Sequence, residues 1–138
     1  MRVETQLSAF LENKAGVLAS LAADLARHGI SIRALTIANL VDHAVVRLVV
    51  SDARKALHLL GDRGVLVTSS DVLAIDIPDE AGALADVARQ LARAGVNIEY
   101  AYGSGPTRGG RAVVYVHPSD LRKARAALRP APRRRRRR

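Results

Sequence analysis

The residues best suited to chemistry in this chain lie in two short stretches, Glu12-Asn13-Lys14-Ala15-Gly16-Val17-Leu18 and Asp79-Glu80-Ala81-Gly82-Ala83-Leu84. Each sits between an alternating run and a run spaced like a helix. A glycine in that position either makes a strand-to-helix turn that needs an unusual φ, or lets a small ligand approach the backbone. Asn13 and Asp79 are, by the same logic, local caps or polar groups for a ligand. No residues are set out for a reaction. The sequence has no nucleophile beside a base, no carboxylate pair and no G-x-x-x-x-G-K-[ST] phosphate loop. His28, His43, His58 and His117 lack the i, i+4 spacing of a helical metal pair, and the absence of cysteine removes thiolate chemistry. The expectation is a protein that is not an enzyme and needs neither metal nor cofactor.

Composition narrows the class further. At 138 residues and 49% hydrophobic content, the chain can bury a real core in one ordinary domain or two very small ones. No window approaches the roughly 18 to 20 apolar residues of a membrane span, and the N-terminus alternates instead of carrying a signal-type block, so cytoplasmic residence is expected. The formal net charge of +9 is confined to one end. Residues 1–120 hold 12 Lys/Arg against 13 Asp/Glu, whereas residues 121–138 hold 10 bases and no acids. A six-arginine run at Arg133–Arg138 is expected to be a disordered, solvated tail.

The elements that must position these loops emerge when the sequence is slid against itself. At an offset of 66, Leu7, Ala9 and Leu11 fall on Leu73, Ile75 and Ile77; Ala15-Gly16 falls on Ala81-Gly82; Leu18, Leu21 and Leu25 fall on Leu84, Val87 and Leu91. The offset later becomes 68, the two extra residues falling in the glycine-rich loop at 103–110, a hairpin connection.

Within the first copy, Val3 to Leu11 alternate with Glu4, Gln6, Ser8 and Phe10, the signature of a strand with one buried face. Leu18, Leu21 and Leu25 follow at helical spacing, and Gly29 is placed to end that helix. Two β-branched runs come next, then a helix capped by Asp52, then a short last strand over 65–68. The unit is βαββαβ, an α+β fold with an antiparallel sheet and helices on one face. The expected organisation is a first module at 1–69, a second at 70–128 and a tail at 129–138. The second copy's last strand is missing or supplied by another segment or chain, because Arg129-Pro130-Ala131-Pro132 and six arginines make no central strand.

With the repeat in place, the sequence resembles a tandem pair of ACT domains, the ferredoxin-like βαββαβ modules that bind amino acids and regulate metabolic enzymes. The residues that carry the resemblance are Leu11 to Leu18 followed by His28-Gly29-Ile30-Ser31-Ile32, and Pro78 to Leu84 followed by Ala94-Gly95-Val96-Asn97-Ile98. Ala15 and Ala81 stand where the family often has proline. The resemblance implies a free amino acid as ligand at an interface between two modules. It marks Asn13, Ala15, Gly16, Val17, Leu18 and Ser31 in the first copy, and Asp79, Ala81, Gly82, Ala83, Leu84 and Asn97 in the second.

A zwitterion needs N–H donors for its carboxylate, which a helix N-terminus offers, and oxygens for its ammonium, which Asn13, Asp79 or Asn97 can supply. Pairing unlike modules would set Asn13 with Asn97 and Asp79 with Ser31, and the amide pair suits a zwitterion without adding charge. Exposed sheet edges and an incomplete second copy point to a homodimer, with a metabolic enzyme as a possible partner. Two other functions remain open: weak, salt-sensitive nucleic-acid binding by the tail, and a scaffold without ligand. Tyr100 and Tyr102, alternating on one strand face near Tyr115, could form a ligand wall, an interface patch or ordinary sheet packing.

Overall fold

The structure, a computed structural model, describes residues 1–104 and 109–128. The middle of the glycine-rich loop and the arginine tail lie outside the described residues.

Ten elements follow the chain: β1 (Arg2–Glu12), α1 (Val17–Arg27), β2 (Ile32–Asn39), β3 (His43–Val50), α2 (Ala53–Asp62), β4 (Leu66–Pro78), α3 (Ala83–Arg93), β5 (Ile98–Gly103), β6 (Arg111–Pro118) and α4 (Leu121–Ala127). Local chemistry sets their ends. Asp52 and Asp120 each accept a hydrogen bond from the backbone N–H three residues on, Lys55 at 3.0 Å and Lys123 at 2.9 Å, capping α2 and α4. Gly29 takes φ 70° just past α1, and the Ile30 N–H returns to the Leu25 carbonyl at 3.0 Å, closing the last turn.

All six strands join one antiparallel sheet in the order β2-β3-β1-β4-β6-β5. The helices cover one face, and each module has its own core beneath them. Leu7, Leu25, Leu48 and Leu60 anchor the first, and Leu73, Val87, Leu91 and Val116 the second. The fold is two tandem βαββαβ modules fused through a shared sheet centre.

The strand read as a short element at 65–68 is the start of a 13-residue β4 that runs unbroken through residues 69 and 70. Ser69-Ser70-Asp71 looks like a linker in composition, but pairing with Leu7, Gln6 and Thr5 of β1 satisfies its backbone and keeps it extended. The pairing is symmetric: Thr5 faces Asp71, and these two residues are equivalent at the 66-residue offset. An internal two-fold axis therefore passes between them. Through it, β4 serves as the last strand of module 1 and the first strand of module 2, while the start of β1, with Arg2 opposite Ala74, lies where module 2's last strand would run.

Candidate functional site

Each helix that follows a module's first strand opens on glycine. Gly16 has φ 87° and Gly82 φ 90°, and neither helix has a side-chain cap. Asn13 and Asp79 are therefore not the caps that their chemistry allowed. A Cβ at either glycine would meet nothing within 4 Å, so the left-handed φ is what demands glycine there, not a crowded backbone. After Val17 N–H, which reaches the Lys14 carbonyl at 3.5 Å, the Leu18 and Ala19 amides find no acceptor among the described residues; Leu84 and Ala85 repeat this in α3.

The two loops share this backbone but not its surroundings. Asn13 donates through Nδ2 to Asn39 Oδ1 at 2.7 Å, tying the loop to the end of β2. Asn13, Val17 and Leu18 line a pocket of about 180 Å³ whose apolar floor is Ile37, Ala44 and Val46. Beside it Glu12 and Lys14 pair at 2.8 Å, and the hydrogen bond and charge of Lys14 hold the Glu12 carboxyl below its usual range. Among the described residues Asp79 is tied through its backbone alone, its N–H donating to the Gly110 carbonyl at 2.7 Å.

Ser31 and Asn97 occupy matching places at the starts of β2 and β5. Ser31 N–H donates to Ser51 Oγ and Asn97 N–H to Ser119 Oγ, both at 2.9 Å, and each carbonyl accepts the return bond from the same serine's N–H. Strand directions put Asn97 at the same end of the sheet as Asn13, and Ser31 at the same end as Asp79. Within one chain neither pair meets: three strand places separate β1 from β5, and three separate β4 from β2.

The helix-free face holds a group that alternation along β1 assigns to solvent. Gln6 is fully buried; its Nε2 donates to Tyr100 Oη at 2.6 Å and its Oε1 accepts from Tyr102 Oη at 2.7 Å. Arg47 of β3 lies 4.0 Å over the Tyr100 ring, whose other neighbour is the stacked His117. In a flat sheet β5 would stand about 14 Å from β1 and about 19 Å from β3. These contacts therefore require the sheet to curl towards its helix-free side, which periodicity does not report. Burial, then the neighbouring Tyr100 and Tyr115, pushes the Tyr102 pKa up, so its hydroxyl keeps the proton that it donates. The three tyrosines are sheet packing that also joins the two modules. His28, whose ring Nδ1 lies 2.8 Å from the Asp24 carbonyl, serves the C-terminus of α1.

Comparison with known proteins follows the same outline. The family model for the ACT domain pair matches residues 1–127. A solved protein from Bacteroides thetaiotaomicron is similar at 40% identity, over 91% of this chain and 86% of its own, with a TM-score of 0.86. The regulatory subunit of aspartate kinase from Thermus thermophilus, in its ligand-free form, is 20% identical over 94% of each chain, with a TM-score of 0.68. Its counterpart from Thermus flavus is also 20% identical, over 93% of this chain and 90% of its own, at 0.64. At that identity the two subunits speak to the fold alone. No curated protein matches.

Proposed function

The chain belongs to the ACT domain pair family, and on that footing we propose that it is a non-catalytic, cytoplasmic regulatory module that binds a free amino acid at the Asn13 loop. The observation that carries this reading is the opening of α1. Gly16 at φ 87° leaves uncapped amides at a helix N-terminus, beside an Asn13 side chain and an apolar pocket. The amides and helix dipole suit a carboxylate, the Asn13 and Asn39 oxygens suit an ammonium, and the floor of Ile37, Ala44 and Val46 suits a side chain.

A pocket of about 180 Å³ falls short of the roughly 300 Å³ at which small-molecule sites begin. We assign the remainder to a second copy. β2 is an edge strand, and Ile32, Leu35 and Ile37 on it are 36%, 39% and 45% exposed, which favours a homodimer that covers that edge. Asn97 or Ser31 would then reach a loop from the other chain. A regulated metabolic enzyme is the partner this role calls for, since binding at a module interface biases how modules are arranged.

The test is thermal melting against the twenty amino acids. A true ligand at 100 times its Kd raises stability by about 2.7 kcal/mol, and the Asn13→Ala variant loses that gain. If no amino acid shifts the melt at millimolar concentration, a scaffold without ligand replaces this reading. The alternative function, nucleic-acid binding, would rest on the seven arginines at 129 and 133–138, and a strongly salt-dependent association that vanishes with them would support it.

A further inference from the structure

The helix-free face carries, in Arg47 of β3, a cation with no counter-ion among the described residues. Arg47 stands in register with Thr36 of β2 on one side and Ser8 of β1 on the other, and Ser8 in turn faces Thr68 of β4. The four side chains make one row on the side of the sheet away from the helices. Arg47 is only partly exposed, and its Nε is buried without a hydrogen-bond partner. Its guanidinium carbon lies 4.0 Å from the centre of the Tyr100 ring, a contact that favours the charge but leaves the N–H donors free.

The acids of the sheet are engaged elsewhere. β2, β3 and β6 contain none. Glu4 and Asp76 pair with Arg2, Glu12 with Lys14 and Glu99 with His117. Asp71 is opposite Thr5, on the side of the alternation that faces the helices. The hydroxyls of Ser8, Thr36 and Thr68 also have no hydrogen-bond partner among the described residues.

A guanidinium half-buried without an acceptor costs stability, and the internal two-fold shows that the fold itself does not require one. At offsets of 66 and 68, Thr36, Arg47 and Ser8 correspond to Tyr102, Tyr115 and Ala74, again in register. There the two rings stack with centroids 5.4 Å apart, and Tyr115 and Ala74 are buried. Module 2 fills these places by packing, whereas module 1 fills them with free donors.

We propose that the Arg47 row binds an oxyanion, the carboxylate or phosphate of a small ligand, on the face of the sheet opposite the Asn13 pocket. Arg47 presents a planar fork of N–H donors that fits either head group, and Ser8 and Thr36 flank it with hydroxyl donors. Two residues along the strands, about 7 Å away, Phe10 faces Val45 on one side and Leu66 on the other. Phe10 is 36% and Leu66 65% exposed, so an apolar group attached to the anion would cover them. The curl of the sheet raises Tyr100 beside Arg47 and makes the site concave. Its ligand is an anion carrying an apolar or aromatic group, which sets it apart from the zwitterion of the Asn13 loop.

The test is an NMR titration of the isotope-labelled full chain with phenyl phosphate, with phenylacetate and, as an uncharged control, with benzyl alcohol. The expected result is saturable movement of the Arg47 Nε–H signal and of the Ser8 and Thr36 amides with one or both anions, and none with the alcohol. The anion that binds more tightly names the head group. Arg47→Met, which keeps an apolar stem against Tyr100, should weaken binding about tenfold or more, read at Ser8 and Thr36. Thr36→Val should weaken it by less, and Asn13→Ala should leave it unchanged, so that this site and the Asn13 site fail separately. No movement of these signals with either anion at millimolar concentration, or equal movement with benzyl alcohol, would overturn the proposal. So would movement confined to signals of the terminal arginines, or an affinity indifferent to Arg47→Met.

Discussion

The opening of α1 and the opening of α3 are the same piece of backbone with different chemistry around it. Both begin on a left-handed glycine, at 87° and 90°, and both leave two amides of the first turn uncapped. In the first, a neutral Asn13 bonds Asn39 and the pocket beneath is apolar. In the second, an anionic Asp79 faces the glycine-rich loop, and the adjacent cavity has an acidic rim. The difference teaches that the repeat conserves the device that presents amide donors, while the side chains choose what those donors meet. On the proposed reading, a carboxylate-bearing ligand would be favoured at Asn13 and repelled by Asp79.

The comparison can be broken first at the level of the scaffold. If the modules share one sheet through β1 and β4, then Leu25→Ala and Leu91→Ala, both fully buried and equivalent by the repeat, should each cost about 2 to 5 kcal/mol. Each variant should still melt in a single transition; two resolved transitions in calorimetry would mean that the modules fold independently. Next in size is Gln6→Ala, which strands the Tyr100 and Tyr102 hydroxyls on the helix-free face and should cost about 1 to 3 kcal/mol in chemical denaturation. A neutral result would remove the cluster as a tie between modules.

Gly16→Ala and Gly82→Ala sharpen the comparison further. Because both glycines stand in open space, each variant should lose only the left-handed backbone cost, about 1 to 2 kcal/mol, and by similar amounts. A much larger loss at one of them would show that the two turns are not equivalent. Smallest are Asp52→Ala and Asp120→Ala, which remove matching caps and should each cost about 1 kcal/mol.

The residues made much of this plain in advance. The spacing from Leu7 to Leu11 and its echo at Leu73 to Ile77 fixed two modules, and Gly16 with Gly82 fixed where each helix starts. Two things stayed hidden because they depend on contacts between distant strands. Ser69-Ser70-Asp71 has the composition of a linker, and only its ladder with β1 makes it the middle of β4. Gln6 falls in step with Glu4 and Ser8 on the polar side of the β1 alternation, and only the curl of the sheet brings tyrosines from β5 over it. The part played by Asn39 and Ile37 in the Asn13 pocket was missed for the same reason: they reach it from the far end of β2, and nothing near Asn13 in the sequence points to them.

Thermal melting of the native, Asn13→Ala and Asp79→Ala chains against the twenty amino acids bears most directly on the central claim. One amino acid, or a small related group, should raise the melting temperature of the native and Asp79→Ala chains and leave Asn13→Ala unmoved. A shift that survives Asn13→Ala and disappears with Asp79→Ala would put the ligand at the other loop and contradict the account.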